Sequence, residues 1–407
     1  MIDSGDTTWI LVSSALVLIM TPALGFFYGG MVRGKNVSAT IMHSFILVAL
    51  ISVQWVLWGY SLAFGPDWGG LGIIGTLDWA GLRGVGLEAG PYADTIPHQA
   101  FMIFQAMFAI ITPALITGAF AERMKFKTFL IFIVLWATLV YDPIAHWVWG
   151  QGGWLSGIGT MDFAGGTVVH ISSGVAALAA ALVFKKRRGF GKIAMEPHNV
   201  PFIVLGAALL WFGWFGFNAG SALTAGSLAT SAFVVTNTAA AMAALTWMTL
   251  SWAFSGKPSV VGAASGAVAG LVAITPASGF VTPMGAILIG LGAGALCYFA
   301  CRLRARLNLD DSLDVWGVHG VGGTWGAIAT GLFATAAISG GGNGLFYGNA
   351  SQLWIQFIAV GVTWVYSFVV TIALLKVLDL TMGLQVTNDE EDIGLDLSQH
   401  GERSYQI

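Results

Sequence analysis

The feature that most constrains this chain is the length of its runs without a single Asp, Glu, Lys or Arg. Residues 7–32, 36–66, 95–121 and 163–184 are each free of charge, and so are the longer runs 197–256, 258–301 and 315–375. A helix crosses the hydrocarbon core with about 20 mostly apolar residues. Each of the first four runs therefore holds one span, and each of the last three holds two around a turn rich in Gly, Ser or Pro. Residues 128–161 contain one charge, Asp142, just before Pro143, and supply a further span near 128–145. The expectation is an all-α polytopic membrane protein with eleven transmembrane helices. Composition agrees: charged residues make up 9% of the chain and mean hydropathy is +0.79, against roughly 25% charged in soluble domains. Disorder is excluded. With a net charge of −3 and no basic domain, so is nucleic-acid binding.

The basic residues set the orientation, because cytoplasmic loops collect Lys and Arg. Arg33 and Lys35 follow span 1; Arg123, Lys125 and Lys127 follow span 3; Lys185 to Arg188 and Lys192 follow span 5. Lys257 follows span 7, Arg302, Arg304 and Arg306 follow span 9, and Lys376 and Arg403 follow span 11. Of the 17 basic residues only Arg83 falls on the other side. The N-terminus is thus expected outside and the C-terminus in the cytoplasm. The acidic start Met1–Asp6 lacks the basic n-region of a signal peptide. Residues 1–377 read as the transmembrane domain and 378–407 as a cytoplasmic tail. Glycine stripes, Gly262/Gly266/Gly270 on span 8 and Gly317/Gly320/Gly323/Gly326 on span 10, suit close helix packing in lipid. Cys297 and Cys301, four residues apart, read as small packing residues.

A repeat underlies the spans. Asp162 and His170 stand eight residues apart where span 5 begins, and Asp311 and His319 have the same spacing where span 10 begins. Five spans separate the copies, an odd number, which inverts spans 6–10 relative to spans 1–5 and directs attention to the interface between the halves. His98, His146, His198 and His400 fall near predicted interfaces, loops or the tail and read as solvated. His43, inside span 2, reads as a core residue. His170 and His319 differ, because each lies in an apolar segment without another titratable group, and ionisable groups at membrane depth mark a pathway, a relay or a pair. Imidazole in an apolar interior stays neutral, since desolvation disfavours the charged form. Two neutral imidazoles suit a small solute that both donates and accepts hydrogen bonds. They suit a bare metal cation poorly. A metal site is disfavoured as well: eight residues of helix separate each Asp from its His by roughly 12 Å. Without a mid-span Lys for a Schiff base, a retinal protein is excluded.

Aromatic residues supply the other element. Phe104 and Phe108 are four apart on span 3; Phe212, Phe215 and Phe217 alternate with Trp211 and Trp214 on span 6; Trp147 and Trp149 end span 4 on the outside. Ring faces hold a cation with about 0.5–2 kcal/mol, and a hydroxyl such as Ser221 adds a directional acceptor.

Together these residues resemble the ammonium transporter (Amt/Mep/Rh) family, in its bacterial and archaeal Amt branch. The strings that carry the resemblance are FFYGGMVRGKN at 26–36, GAFAERMKF at 118–126, AHWVWGQGGWL at 145–155 and DFAGGTVVHISSG at 162–174. They continue with WFGWFGFNAGSA at 211–222, SGAVAGLVAITPASGF at 265–280, DVWGVHGVGGTWG at 314–326 and GLDLSQHGE at 394–402. The resemblance implies an outer recruitment site of Trp149, Ser221 and Phe108 with Phe104 nearby, supported by Asp162, whose counterpart is Asp311. It implies a gate of Phe108 and Phe217, and a pore lined by His170, His319 and Trp214. It also implies a homotrimer in the cell's inner (plasma) membrane with one pore per subunit, and no enzyme activity, cofactor or metal. Ammonium would be recruited outside and deprotonated, and NH3 would pass the twin histidines, with or without separate proton transfer. A PII-type signal protein is the implied partner at the basic cytoplasmic face, beside a regulatory tail. A sensor built on the same site would need a partner, because only 31 residues follow Lys376.

Overall fold

Helix boundaries follow the capping chemistry of the loops. In the computed structural model, which describes residues 1–405, the first helix, α1 (Ser4–Met31), opens on Asp3, whose carboxylate accepts from Asp6 N at 2.9 Å. Asn199, with Pro201 just inside, opens α6 (Val200–Gly220). Ser259 opens α8 (Val260–Ile274), and Thr282 with Pro283 opens α9 (Pro283–Arg306). Such caps satisfy the orphaned N–H groups of a first turn, and Pro is tolerated there because its missing N–H is not needed. Between α6 and α8 lies α7 (Ser227–Ser255), closed by Gly256 in the left-handed region.

The remaining long helices are broken in a way the sequence did not announce. Helix α2 (Val37–Gln54) passes through a π-helical turn, Trp55–Gly59, before Tyr60–Phe64. Helix α3 is His98–Ala119. Helix α4 comprises Phe126–Trp136, the π turn Ala137–Tyr141 and Asp142–Trp149. Helix α5 starts with the π turn Gly166–Ile171 and continues as Ser172–Val183, and α10 starts with the π turn Trp316–Gly320 and continues as Val321–Phe333. The last long helix, α11 (Ala350–Met382), runs past the expected domain boundary at 377. A two-stranded antiparallel hairpin, Ala89–Gly90 with Ala93–Pro97, precedes α3.

Among the described residues nine helices are long and apolar enough to cross a membrane. The expected spans 8 and 10 are not among them. Helix α8 has only 15 residues, and α10 is diluted by Gly317, His319, Gly320, Gly322, Gly323 and Thr324. The chain is a helical membrane protein. Large apolar side chains such as Phe212, Trp252, Trp354 and Val365 stand exposed on the helices, where a soluble protein would carry charge.

Packing brings the two repeat units together. Helix α1 lies along α6, and α7 packs on α8 and α9. The glycine stripe of α8 faces Trp247, Ala243 and Ala239 of α7 at backbone contact distance. Helices α5 and α10 cross where Gly174 meets Gly320: a Cβ on Gly174 would stand 2.5 Å from Gly320 Cα. That contact fixes the separation of the two histidines, because His170 and His319 sit one turn or less from it. Cys297 is free and buried against α10, as a packing residue should be.

Candidate functional site

Both histidines ride on π turns that an aspartate starts. Asp162 spends its whole carboxylate on the backbone: Oδ1 accepts from Gly165 N at 2.9 Å and Gly166 N at 2.5 Å, while Oδ2 accepts from Thr167 N at 2.7 Å and from the Thr167 hydroxyl. Gly165 adopts φ +111° to begin the turn, a conformation open to glycine alone at low cost. Asp311 repeats the arrangement more sparsely, its Oδ2 accepting from Trp316 N at 2.8 Å. A carboxylate at a helix N-terminus satisfies orphan donors and meets the positive end of the helix dipole. The eight-residue spacing is thus the distance from a capping carboxylate placed before the turn to an imidazole within that first turn. The Asp162 carboxylate acts on the site by holding the backbone of this turn. Its carbonyl oxygen also accepts from Trp149 Nε1 at 2.9 Å.

From these turns an aromatic column runs through the molecule. Trp149 stands edge-on to Phe108 with ring centroids 6.0 Å apart, and Phe108 lies against Phe217 at 4.3 Å. Phe217 is followed by His170 at 6.0 Å, and His170 by His319 at 5.4 Å, both nearly parallel. The imidazoles meet Nδ1 to Nδ1 at 3.3 Å, so one nitrogen donates and the other accepts, and the pair holds complementary tautomers. Trp214 stacks beside His170 at 5.4 Å and is pinned by its Nε1–H to Thr275 Oγ1 at 2.8 Å. His170 Nε2 is buried without a partner. A buried polar atom left open in this way is costly.

On the Trp149 side of the Phe108–Phe217 pair opens a vestibule of about 260 Å³, lined by Phe108, Trp149, Ser221, Phe163, Phe101, Tyr92 and Gln105 among others. Ser221 Oγ donates to Phe217 O at 2.9 Å, which leaves its lone pairs for a visitor. Phe104 is not in the lining. It packs edge-on behind Phe108 at 5.0 Å and against Gly220 of α6. The sequence reading missed Tyr92 and Gln105. Burial pushes the Tyr92 phenol above its ordinary range, so it stays protonated and donates to Phe64 O at 2.6 Å. Gln105 Oε1 has no partner, and its place one turn before Phe108 on α3 was the available signal.

Several sequence readings are corrected here. His98 and His146 are buried, not solvated: His98 Nε2 is 2.6 Å from Tyr60 OH, and His146 bridges Ala63 O and Asp67. Arg187, too, is not free basic surface. Asp310 pairs with Arg123 at 2.6 Å and Arg187 at 2.8 Å, while Glu122 pairs with Arg33 at 2.7 Å and Arg187 at 3.2 Å. Burial alone would raise the Asp310 and Glu122 carboxyls, but the surrounding arginines outweigh it and hold both below the usual carboxylate range. This cluster fixes the segment that leads into Asp311 and α10.

The tail is docked on the same face. Its helices α12 (Asn388–Ile393) and α13 (Leu395–His400) sit over the α1–α2 turn. Asp396 accepts from Val37 N at 3.1 Å and Ala39 N at 2.8 Å, and Lys35 Nζ donates to Glu391 O and Asp392 O at 2.7 Å. Residues 406–407 of the expected tail lie outside the described residues.

The fold and site define a polytopic membrane protein with a column of packed aromatic and imidazole rings between its two halves. Among protein families, the model described as Ammonium Transporter Family matches residues 8–405, and the chain belongs to that family. It is 55% identical over 404 residues to an ammonium transporter of Bacillus subtilis, covering 99% of this chain and 98% of that protein. Identity to the ammonium transporter Amt1 of Archaeoglobus fulgidus is 51%, over 99% and 100% of the two chains. The crystal structure of Saccharomyces cerevisiae Mep2 superposes with a TM-score of 0.91 at 38% identity, covering 100% and 92%. A structure described as a sensor Amt protein reaches 0.89 at 30% identity, covering 97% and 98%.

Proposed function

We propose that this chain recruits NH4⁺ in the outer vestibule and conducts NH3 past the Phe108–Phe217 pair, His170 and His319, the proton given up before the phenyl pair either returning to vestibule water or crossing separately. The observation that carries this reading is the continuous column of rings from Trp149 to His319, apolar except at its two imidazoles. Trp149 and Phe108 offer ring faces worth about 0.5–2 kcal/mol to a cation, and Ser221 offers an acceptor. Below the phenyl pair nothing replaces the hydration of an ion, whereas neutral ammonia exchanges hydrogen bonds with the imidazoles. Family membership supports ammonium as the substrate.

The proposal extends to topology and assembly. Eleven spans, with short α8 and glycine-rich α10 counted alongside the nine, keep the basic residues on one side and give N-terminus outside, C-terminus inside. The matching Asp-capped π turns of α5 and α10 support an inverted repeat. A homotrimer in the inner (plasma) membrane, multi-pass, with one pore per subunit and a PII-type signal protein at the cytoplasmic face, follows from the family resemblance. The likeness to a sensor Amt protein favours a second reading, in which the same site signals ammonium through the docked tail.

Proteoliposomes and an ammonium jump test this. A transient current absent from protein-free vesicles and from the His170→Ala/His319→Ala double variant supports conduction with charge movement. Protein-dependent internal alkalinisation without current supports net NH3 passage. Ammonium binding with neither signal refutes transport and favours the sensor.

A further inference from the structure

Four π turns interrupt the helices, and only two of them carry the pore histidines. The other two, Trp55–Gly59 in α2 and Ala137–Tyr141 in α4, flank one contact: Gln54, just before the first, and Asp142, just after the second. Gln54 Nε2 donates to Asp142 Oδ2 at 2.9 Å and to Thr138 Oγ1 at 3.3 Å. Asp142 is 0% exposed and has no ion-pair partner among the described residues. Its Oδ1, Gln54 Oε1 and the Tyr141 hydroxyl are all buried without a partner. A carboxylate in this position would bury a full charge against a single amide, at a cost of several kcal/mol. π turns in helices concentrate at functional sites, and these two carry neither of the paired histidines.

From Asp142 a polar stripe leads to the outer surface. Thr138, Asp142 and His146 lie four residues apart along α4, one face of the helix, with about 6 Å between neighbours. His146 is fully buried, and each of its nitrogens faces an acceptor: Nδ1 is 3.0 Å from Ala63 O and Nε2 is 3.0 Å from Asp67 Oδ1. Both nitrogens are thereby engaged, one by the backbone and one by a carboxylate. Asp67 reaches the outer surface.

We propose that Asp142 is a proton-binding site in the α2–α4 seam, separate from the ammonium path, and that it is loaded from the outside through Asp67 and His146. The proton adds to Asp142 Oδ1, which removes the buried charge and converts an orphan acceptor into a donor beside the open Gln54 carbonyl.

Infrared difference spectroscopy of the full chain in lipid nanodiscs tests the site, with the carbonyl stretch of a protonated carboxylic acid as readout. The wild type is expected to show such a band, Asp142→Asn to lose it, and Gln54→Leu to shift it upward by removing the N–H donor to Oδ2. A band that Asp142→Asn leaves intact, or no band at all, overturns the site. After a switch to D2O, His146→Gln is expected to slow the isotope shift of the band severalfold, and unchanged exchange overturns the outer route. If Asp142→Asn fails to fold, the Gln54→Leu shift decides, since no carboxyl other than Asp142 touches that amide.

Discussion

The crossing of α5 and α10 offers a perturbation whose size the structure fixes. In Gly174→Ala the new Cβ would stand 2.5 Å from Gly320 Cα and 2.7 Å from the His319 carbonyl carbon, where carbon contacts relax near 3.5–4.0 Å. The two backbones must separate by roughly 1 Å, and neither neighbour is a side chain able to rotate away. Overpacking of this kind costs about 1–3 kcal/mol. The same displacement stretches the 3.3 Å contact between the imidazoles beyond hydrogen-bond range, a further loss of about 0.5–1.5 kcal/mol. The sum is about 1.5–4.5 kcal/mol, with the two histidines parted. Gly361→Ala on α11 is the matched control, because its Cβ meets nothing within 4 Å. Thermal melting of both variants, with ammonium flux per folded protein in vesicles, makes the comparison. Gly174→Ala is expected to melt several degrees lower and to lose most of its flux, while Gly361→Ala matches wild type. A Gly174→Ala protein as stable and as active as wild type would refute the argument that this backbone contact sets the histidine spacing.

Further outcomes follow from the other contacts. Asp162→Ala leaves three backbone N–H groups and the Thr167 hydroxyl without their acceptor, at about 1–3 kcal/mol each before non-additivity, whereas Asp162→Asn disturbs chiefly the Thr167 side. Melting and flux should therefore fall more in Asp162→Ala than in Asp162→Asn, and equal behaviour would count against the capping role. Asp310→Asn breaks the buried pairs with Arg123 and Arg187 and should cost about 3–5 kcal/mol. Since Asp310 and Glu122 are held below their ordinary range, their contribution is present at neutral pH and is lost as pH falls through and below about 4. Wild-type melting should therefore drop in acid, and Asp310→Asn should show a shallower drop from a lower start. Asp396→Ala removes the acceptor for Val37 and Ala39 N–H, so hydrogen exchange across 388–400 should rise while α1 to α11 stay protected. A tail that remains protected would show that Lys35 and Arg188, whose N–H donates to Glu391 Oε1 and whose guanidinium pairs with Asp392, each at 2.7 Å, suffice to hold it.

How much was legible in the sequence differs from residue to residue. Nine of the eleven expected spans were, because crossing a bilayer demands long apolar runs and tolerates few others. The paired Asp and His were, through a spacing that a capping carboxylate and a side chain in the first turn impose. His146 was misread, because proximity to a span end does not tell whether a loop folds over it; the segment around Asp67 does. Arg187 was counted as surface for the same reason: its partners Glu122 and Asp310 lie 65 and 123 residues away. Phe104 and Phe108 look alike on a helical wheel, and only the position of α6 decides that one lines the vestibule and the other backs it.

By itself, then, the sequence determined what must be local or periodic. That comprises the helices, their caps, the side on which charge collects, and the residue types a transport path requires. Only the tertiary structure decided the π turns, which are settled by how each helix meets its neighbours. It alone set the 3.3 Å imidazole contact, since that distance depends on two glycines from opposite halves of the chain touching. Hydrophobic runs specify that a segment enters the membrane, but in lipid they do not specify which face meets which. That choice rests on small residues and buried polar pairs, whose partners are far apart in sequence.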